Sequence, residues 1–128
     1  MKKTAILSMA ALVAAFAAPA FGQGALNPNG SFADKWGTTF TFSLCGSGTD
    51  LCGKLDVLKG DSATPADLAY VGNQVIQAKA SGANVWKGQL SAGGMSGEAT
   101  ITQTGPNTID IQGCRAMILC ETLTYTRQ

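Results

Sequence analysis

Thr39-Phe40-Thr41-Phe42-Ser43-Leu44 is the stretch that decides the fold class of this chain. Polar and apolar residues alternate through it without a break, and β-formers predominate. Successive side chains of a strand point to opposite faces, so the pattern predicts a half-buried strand with Phe40, Phe42 and Leu44 on one side. Gly46-Ser47-Gly48-Thr49-Asp50 follows as a turn, after which Leu51, Leu55 and Val57 resume the alternation. The two segments together predict a β-hairpin with Cys45 and Cys52 flanking its turn, where a short bridge fits.

Downstream, the same signal recurs. Val85 to Leu90 surrounds Trp86, Glu98 to Thr104 alternates, and Thr108-Ile109-Asp110-Ile111 does so after the turn Gly105-Pro106-Asn107. In the last segment, Glu121 to Arg127, Leu123 and Tyr125 face one way and the threonines the other. Between the hairpin and these strands, Thr64-Pro65 with Asp67 reads as an N-cap, a proline at the first helical position and an early acid. This predicts a short helix near 65–70, then a strand over about 74–80. Residues 91–97, rich in glycine and alanine, predict a loose loop, and residues 23–31 predict a leader of turn-formers. Many short strands joined by polar turns specify an all-β domain. The run of hairpins favours a small antiparallel up-and-down β-barrel with one short helix, because closure removes exposed sheet edges.

The first 20 residues read as something else. Lys2 and Lys3 precede an apolar run, Ala5 to Ala18, broken only by Ser8, and Ala18-Pro19-Ala20 supplies the small residues of a cleavage site. This is the layout of a secretory signal peptide, with cleavage expected after Ala20 or, alternatively, Gly22. The run is shorter than the roughly 20 apolar residues of a spanning helix. The expected organisation is a signal peptide over 1–20, a flexible leader over 21–30 and one barrel domain over 31–128. The expected location is the periplasm or the exterior. Without the signal, seven basic side chains face eight acidic ones. A charge near zero with no basic run argues against nucleic acid as a partner, and no integral membrane segment remains. At roughly 106 residues the core is modest and gains from covalent staples.

Cys45, Cys52, Cys114 and Cys120 all fall in the mature part, and an even count in an exported small protein reads as disulfides. Of three pairings, Cys45–Cys52 with Cys114–Cys120 is favoured, because each pair flanks a short connecting segment. A zinc site is the rival, but the spacing is not that of a ribbon and the chain has no histidine to complete a mixed site. The missing histidine also removes the usual general base, so Gly60-Asp61-Ser62 reads as a turn rather than an esterase block. Gly93-Gly94-Met95-Ser96-Gly97 lacks the nucleophile-elbow spacing, and Gly46-Ser47-Gly48 lacks the rest of a dinucleotide fingerprint. Asp56 and Asp110 fall on solvated strand phases. Glu98 and Glu121 stand at strand starts, and a glycosidase would need such a pair about 5 Å apart. The residues therefore point to no catalytic group, no metal and no cofactor, and to a protein that is not an enzyme. Trp36, Phe40, Phe42 and Trp86 are the candidate ligand-binding residues; they either line a cavity or fill the core.

An ordered set of motifs adds to this reading: Cys45 with Leu51-Cys52-Gly53, then Trp86-Lys87-Gly88, then Gly113-Cys114 to Cys120 before Tyr125-Thr126-Arg127. From about Gly30 to Arg127 the chain resembles a bacterial family of small exported proteins catalogued as domain of unknown function 2147. The resemblance implies a lipocalin-like (calycin-type) barrel and carries no catalytic residues. The chain departs from the family pattern at Ser91 to Gly97, where an Asp-Pro…Asp-Gly…Tyr stretch is usual. Lipocalins carry Gly-x-Trp on the first strand, of which Gly30-Ser31-Phe32 is a variant, and a basic residue near the last strand packs over that aromatic. The resemblance thus implies that Arg127 stacks on Phe32 or Trp36 and closes one barrel end. Two functions follow as expectations: a barrel that binds a small apolar or amphipathic ligand, or an envelope structural or protein-interaction module such as a hydrolase inhibitor or assembly accessory.

Overall fold

A computed structural model describes residues 26–92, 95–115 and 119–128; the expected signal peptide lies outside them. Eight strands follow one another around a closed antiparallel barrel: β1 (Gly30–Ala33), β2 (Thr39–Cys45), β3 (Asp50–Val57), β4 (Gln74–Gly82), β5 (Val85–Ala92), β6 (Met95–Gly105), β7 (Thr108–Arg115) and β8 (Leu119–Arg127). Each strand pairs with its sequence neighbour, and β1 closes on β8 with Phe32 opposite Arg127 and Ala33 opposite Thr126. This is the up-and-down, lipocalin-like architecture expected from the run of hairpins, with the sheet closed on itself through the β1–β8 pairing.

Alternating strand direction gives the barrel two unlike ends. At one, the tight turns 46–49, 83–84 and 106–107 close the hairpins; Asn84 takes a left-handed φ of 60° in its turn. At the other lie the longer connections, 34–38 and 58–73, the latter holding a 3-10 turn (Gly60–Ser62) and the short helix α1 (Pro65–Leu68). Thr64 caps α1 as its sequence suggests, its Oγ1 accepting from Asp67 N at 3.2 Å. Residues 58–73 are tied down at both ends. Thr38 Oγ1 donates to Lys59 O at 3.1 Å, and Gly72 N donates to Leu55 O at 2.6 Å.

The interior phase of each strand is apolar, and the half of the barrel nearest the tight turns is filled. Phe32, Phe42, Leu51, Ile76, Ile101 and Ile109 are almost fully buried there. Phe32 meets Phe42 edge-on with ring centres 5.8 Å apart, and Phe40 continues the stack at 5.7 Å from Phe42. Trp86 is buried too, its indole Nε1 donating to Thr49 O at 2.9 Å in the β2–β3 turn. Gly88 lets β4 and β5 approach: a Cβ there would stand 2.1 Å from Gln77 O and 2.5 Å from Ala78 Cα.

Three sequence expectations change. The loose loop expected over 91–97 is mostly strand, with Leu90 opposite Gly97, Ser91 opposite Ser96 and Ala92 opposite Met95. Ladder pairing overrides the weak β-propensity of small residues, which is a strongly context-dependent preference. The flexible leader expected over 21–30 is, in its described part, pinned. Leu26 N donates to Asn84 Oδ1, Gln103 Nε2 and Arg127 Nη2 both donate to Asn27 O, and Pro28 is buried. Residues 26–29 so cross the tight-turn end, and β1 begins at Gly30. No periodicity marks this, because the hold comes from backbone groups meeting distant side chains. Leu44, expected to face inward with Phe40 and Phe42, is 40% exposed, since its place on β2 lies at the barrel's rim.

Both disulfides form as paired in the sequence reading, Cys45–Cys52 and Cys114–Cys120. Cys52 stands between buried Leu51 and Gly53, so it is on the outward phase, and Cys114 and Cys120 are likewise out of phase with Ile111 and Leu123. Each bridge therefore staples the outside of one hairpin: β2–β3 at the tight-turn end, β7–β8 at the open end.

Candidate functional site: the open-end cavity

Above the filled half, the barrel is hollow. A partly enclosed cavity of about 760 Å³ lies at the end bearing the long connections, within the size range of small-molecule sites. Phe40, Leu55, Val75, Leu90, Ile111 and Leu123 give it an apolar floor and wall. Five of these six residues stand on the interior phase of their strands; the sixth, Val75 on β4, joins Ile76 in being buried because the β3–β4 register shifts between Gly53 and Lys54.

The space exists partly because of Gly113. It follows Ile109 and Ile111 on the interior phase of β7, lines the cavity, and has no described residue within 4 Å of where a Cβ would stand. Tyr125 closes the wall between Phe40, whose ring centre is 5.4 Å away, and the β7 strand. It is 5% exposed as a residue, and its side chain lines the cavity. Burial, and then the charge of Asp34, hold its proton on well beyond the usual tyrosine range.

The mouth is built from the turn after β1 and from residues 58–68. Asp34 Oδ1 accepts from the backbone N–H of Trp36, Gly37 and Thr38 at 2.9–3.0 Å, which folds the turn and fixes Trp36. The Trp36 ring lies against Gly60, where a Cβ would come within 3.1 Å of Cγ, and Lys35 Nζ sits 4.5 Å from the ring centre. Among the charged residues of the lining carboxylates dominate: Asp34, Asp61, Asp67, Glu98 and Glu121, against Lys59. Glu121 shares the interior phase of Leu123 and Tyr125, whereas Glu98 is out of phase with buried Ala99 and Ile101 and stands at the outer rim.

Of the four aromatic candidates, the cavity takes two. Trp36 stands at its mouth, 50% exposed, and Phe40 forms part of its floor. Phe42 and Trp86 lie below, in the filled half, and are core rather than lining. Arg127 sits at the opposite end, its Cζ 4.6 Å from the centre of the Phe32 ring. Asp56 and Asp110 serve the outer surface: Asp56 accepts from Thr41 Oγ1 and lies 3.7 Å from Lys54 Nζ, and Asp110 accepts from Thr124 Oγ1 at 2.8 Å. Sequence reasoning missed Gly113 as a maker of space and Tyr125 as a polar lining group. A glycine at the next interior position after Ile109 and Ile111 was the available signal.

Comparison of the chain with protein-family models, with curated proteins and with solved structures returns no match.

Proposed function

We propose that this protein is an exported, non-enzymatic binding barrel that holds one small apolar or amphipathic molecule in its open-end cavity. One observation carries the reading: the interior is packed solid below Phe40 and hollow above it, with an apolar lining and a few polar groups at the mouth. That combination of enclosed apolar surface with sparse polar anchors is what small-ligand sites require. Export to the periplasm or beyond belongs to the proposal, resting on the Lys2-Lys3 and Ala5–Ala18 pattern and on two disulfides that suit an oxidising compartment. So does membership of the exported family named above, which rests on the ordered Leu-Cys-Gly, Trp-Lys-Gly and Gly-Cys…Cys…Thr-Arg motifs.

Native mass spectrometry of the mature protein from the periplasm tests this. A retained small molecule on a chain four hydrogens lighter than its reduced form is expected. An oxidised chain that carries nothing, and takes up no amphiphile when offered one, overturns the reading. A second reading, an envelope protein-interaction module, draws on Trp36, Leu68 and Val71, apolar residues left exposed on the open-end connections. It is favoured if the empty protein instead captures a partner that substitution of Trp36 releases.

A further inference from the structure

The cavity's lining also bears on which amphiphile it takes, an inference that rests on the binding reading above. An apolar floor formed by Phe40, Leu90 and Leu123 accepts any hydrocarbon chain and discriminates little between them, because hydrophobic burial is non-directional. Discrimination falls to whatever meets the head group at the mouth, and there the charges are lopsided. Asp61, Asp67 and Glu121 line it with Asp34 and Glu98, while Lys59 is the cation among the described lining residues. Lys35 adds a second cation nearby, but its Nζ lies over Trp36. We propose that the cavity takes a cationic amphiphile, with its apolar chain on the floor of the barrel and an ammonium-type head among the carboxylates of the mouth.

Two further features fit such a head group. Tyr125 lines the cavity and no described residue hydrogen-bonds its hydroxyl, so its oxygen can accept from an N–H donor that enters there. Trp36, half-exposed at the mouth, already draws one cation, Lys35, to its ring at 4.5 Å, and a quaternary or primary ammonium is recognised by the same attraction. An anionic head would instead face several like charges at the mouth, with Lys59 as the counter-ion among the described lining residues.

Calorimetric titration of the disulfide-intact protein with dodecylammonium, dodecanol and dodecyl sulfate, each below its micelle concentration in low-salt buffer, separates the possibilities. The three probes share one chain and differ in head charge. Dodecylammonium is expected to bind about tenfold tighter than dodecanol, with dodecyl sulfate weakest. The preference shrinks several-fold in high salt, where exposed charges are screened. Combining Asp61→Asn, Asp67→Asn and Glu121→Gln lowers dodecylammonium affinity toward that of dodecanol. Equal binding of all three probes, or a preference for the sulfate, overturns the charge assignment and leaves the binding barrel standing. Failure of all three to bind overturns both. The salt titration on the unaltered protein decides the matter even if the triple variant does not fold.

Discussion

Arg127 and Phe32 face each other as direct partners across the seam that closes the barrel, the guanidinium carbon 4.6 Å from the ring centre. The seam is short, with two residue pairs joining β1 to β8, so side chains carry much of the closure. Arg127 also donates to Asn29 O and Asn27 O, both at 2.7 Å, and to Pro106 O at 2.9 and 3.1 Å. One planar fork thereby ties the incoming chain, the β6–β7 turn and the first strand together. Gly30 makes room for it: its φ is 134°, and a Cβ there would come within 2.6 Å of Arg127 Nη1. Replacing Arg127 by Leu is expected to cost about 2–3 kcal/mol in urea unfolding, the worth of charge-assisted hydrogen bonds plus a ring contact. Lysine keeps the charge without the fork and recovers less than half. A loss below about 0.5 kcal/mol for Arg127→Leu would show the seam does not depend on it.

Two glycines on interior phases predict opposite outcomes. At Gly88 an added Cβ meets the backbone of Gln77 and Ala78, which cannot move without parting β4 from β5. Gly88→Ala is expected to cost about 3 kcal/mol or prevent folding. Gly113→Ala meets open cavity and is expected to be neutral, or stabilising by up to about 1 kcal/mol through the unfolded chain. Thermal melts of the pair check this, and comparable losses at the two sites would count against the hollow.

Each disulfide closes a small loop within one hairpin, with sequence separations of 7 and 6. The chain-entropy argument gives each about 2 kcal/mol. Replacing Cys45 and Cys52 together by Ser should lower the melting temperature by about 10 °C. Replacing Cys114 and Cys120 should do much the same, since neither bridge spans the barrel. A far larger effect from one pair would mean that it holds more than its own hairpin.

Tyr125 gives a pH signature. Burial, and then Asp34, raise its pKa in the folded protein above the unfolded value near 10, so the folded state holds its proton more tightly. The stability this contributes is complete below about pH 10 and is lost as pH rises beyond it. Tyr125→Phe should flatten the fall in stability above about pH 10. Phenolate absorbance should show one of the chain's two tyrosines ionising only as the protein unfolds. Ionisation of Tyr125 in the intact fold near its ordinary pKa contradicts the burial argument.

The barrel was legible because alternation is a local property: Phe40-Thr41-Phe42 announces its own strand, and successive hairpins leave little choice but closure. The cysteine pairs were legible for the same reason, each lying within one hairpin. What escaped depends on distance in sequence. Leu26 meets Asn84 and Asn27 meets Gln103, and no local pattern records these contacts. The strand character of Ser91, Ser96 and Gly97 comes from their partners, not from their own preferences. At the site, the sequence named the aromatics without ranking them by height along the barrel, so Trp86 and Phe42 stood equal with Phe40. The hollow itself arises where the interior positions narrow to Gly113 and Leu123 above the Phe32–Phe42 pair, a volume that only the assembled strands define.

The most direct test of the central claim fills that hollow. Gly113→Leu places a side chain into the open cavity, away from the β1–β8 seam and beside Glu121, its partner across β7 and β8. Dodecylammonium affinity is the quantity to measure, alongside the melting temperature. The account predicts at least a tenfold loss of binding in a variant that melts within a few degrees of the parent. Unchanged affinity in a well-folded Gly113→Leu protein would contradict it, and would place the ligand somewhere other than the open end of the barrel.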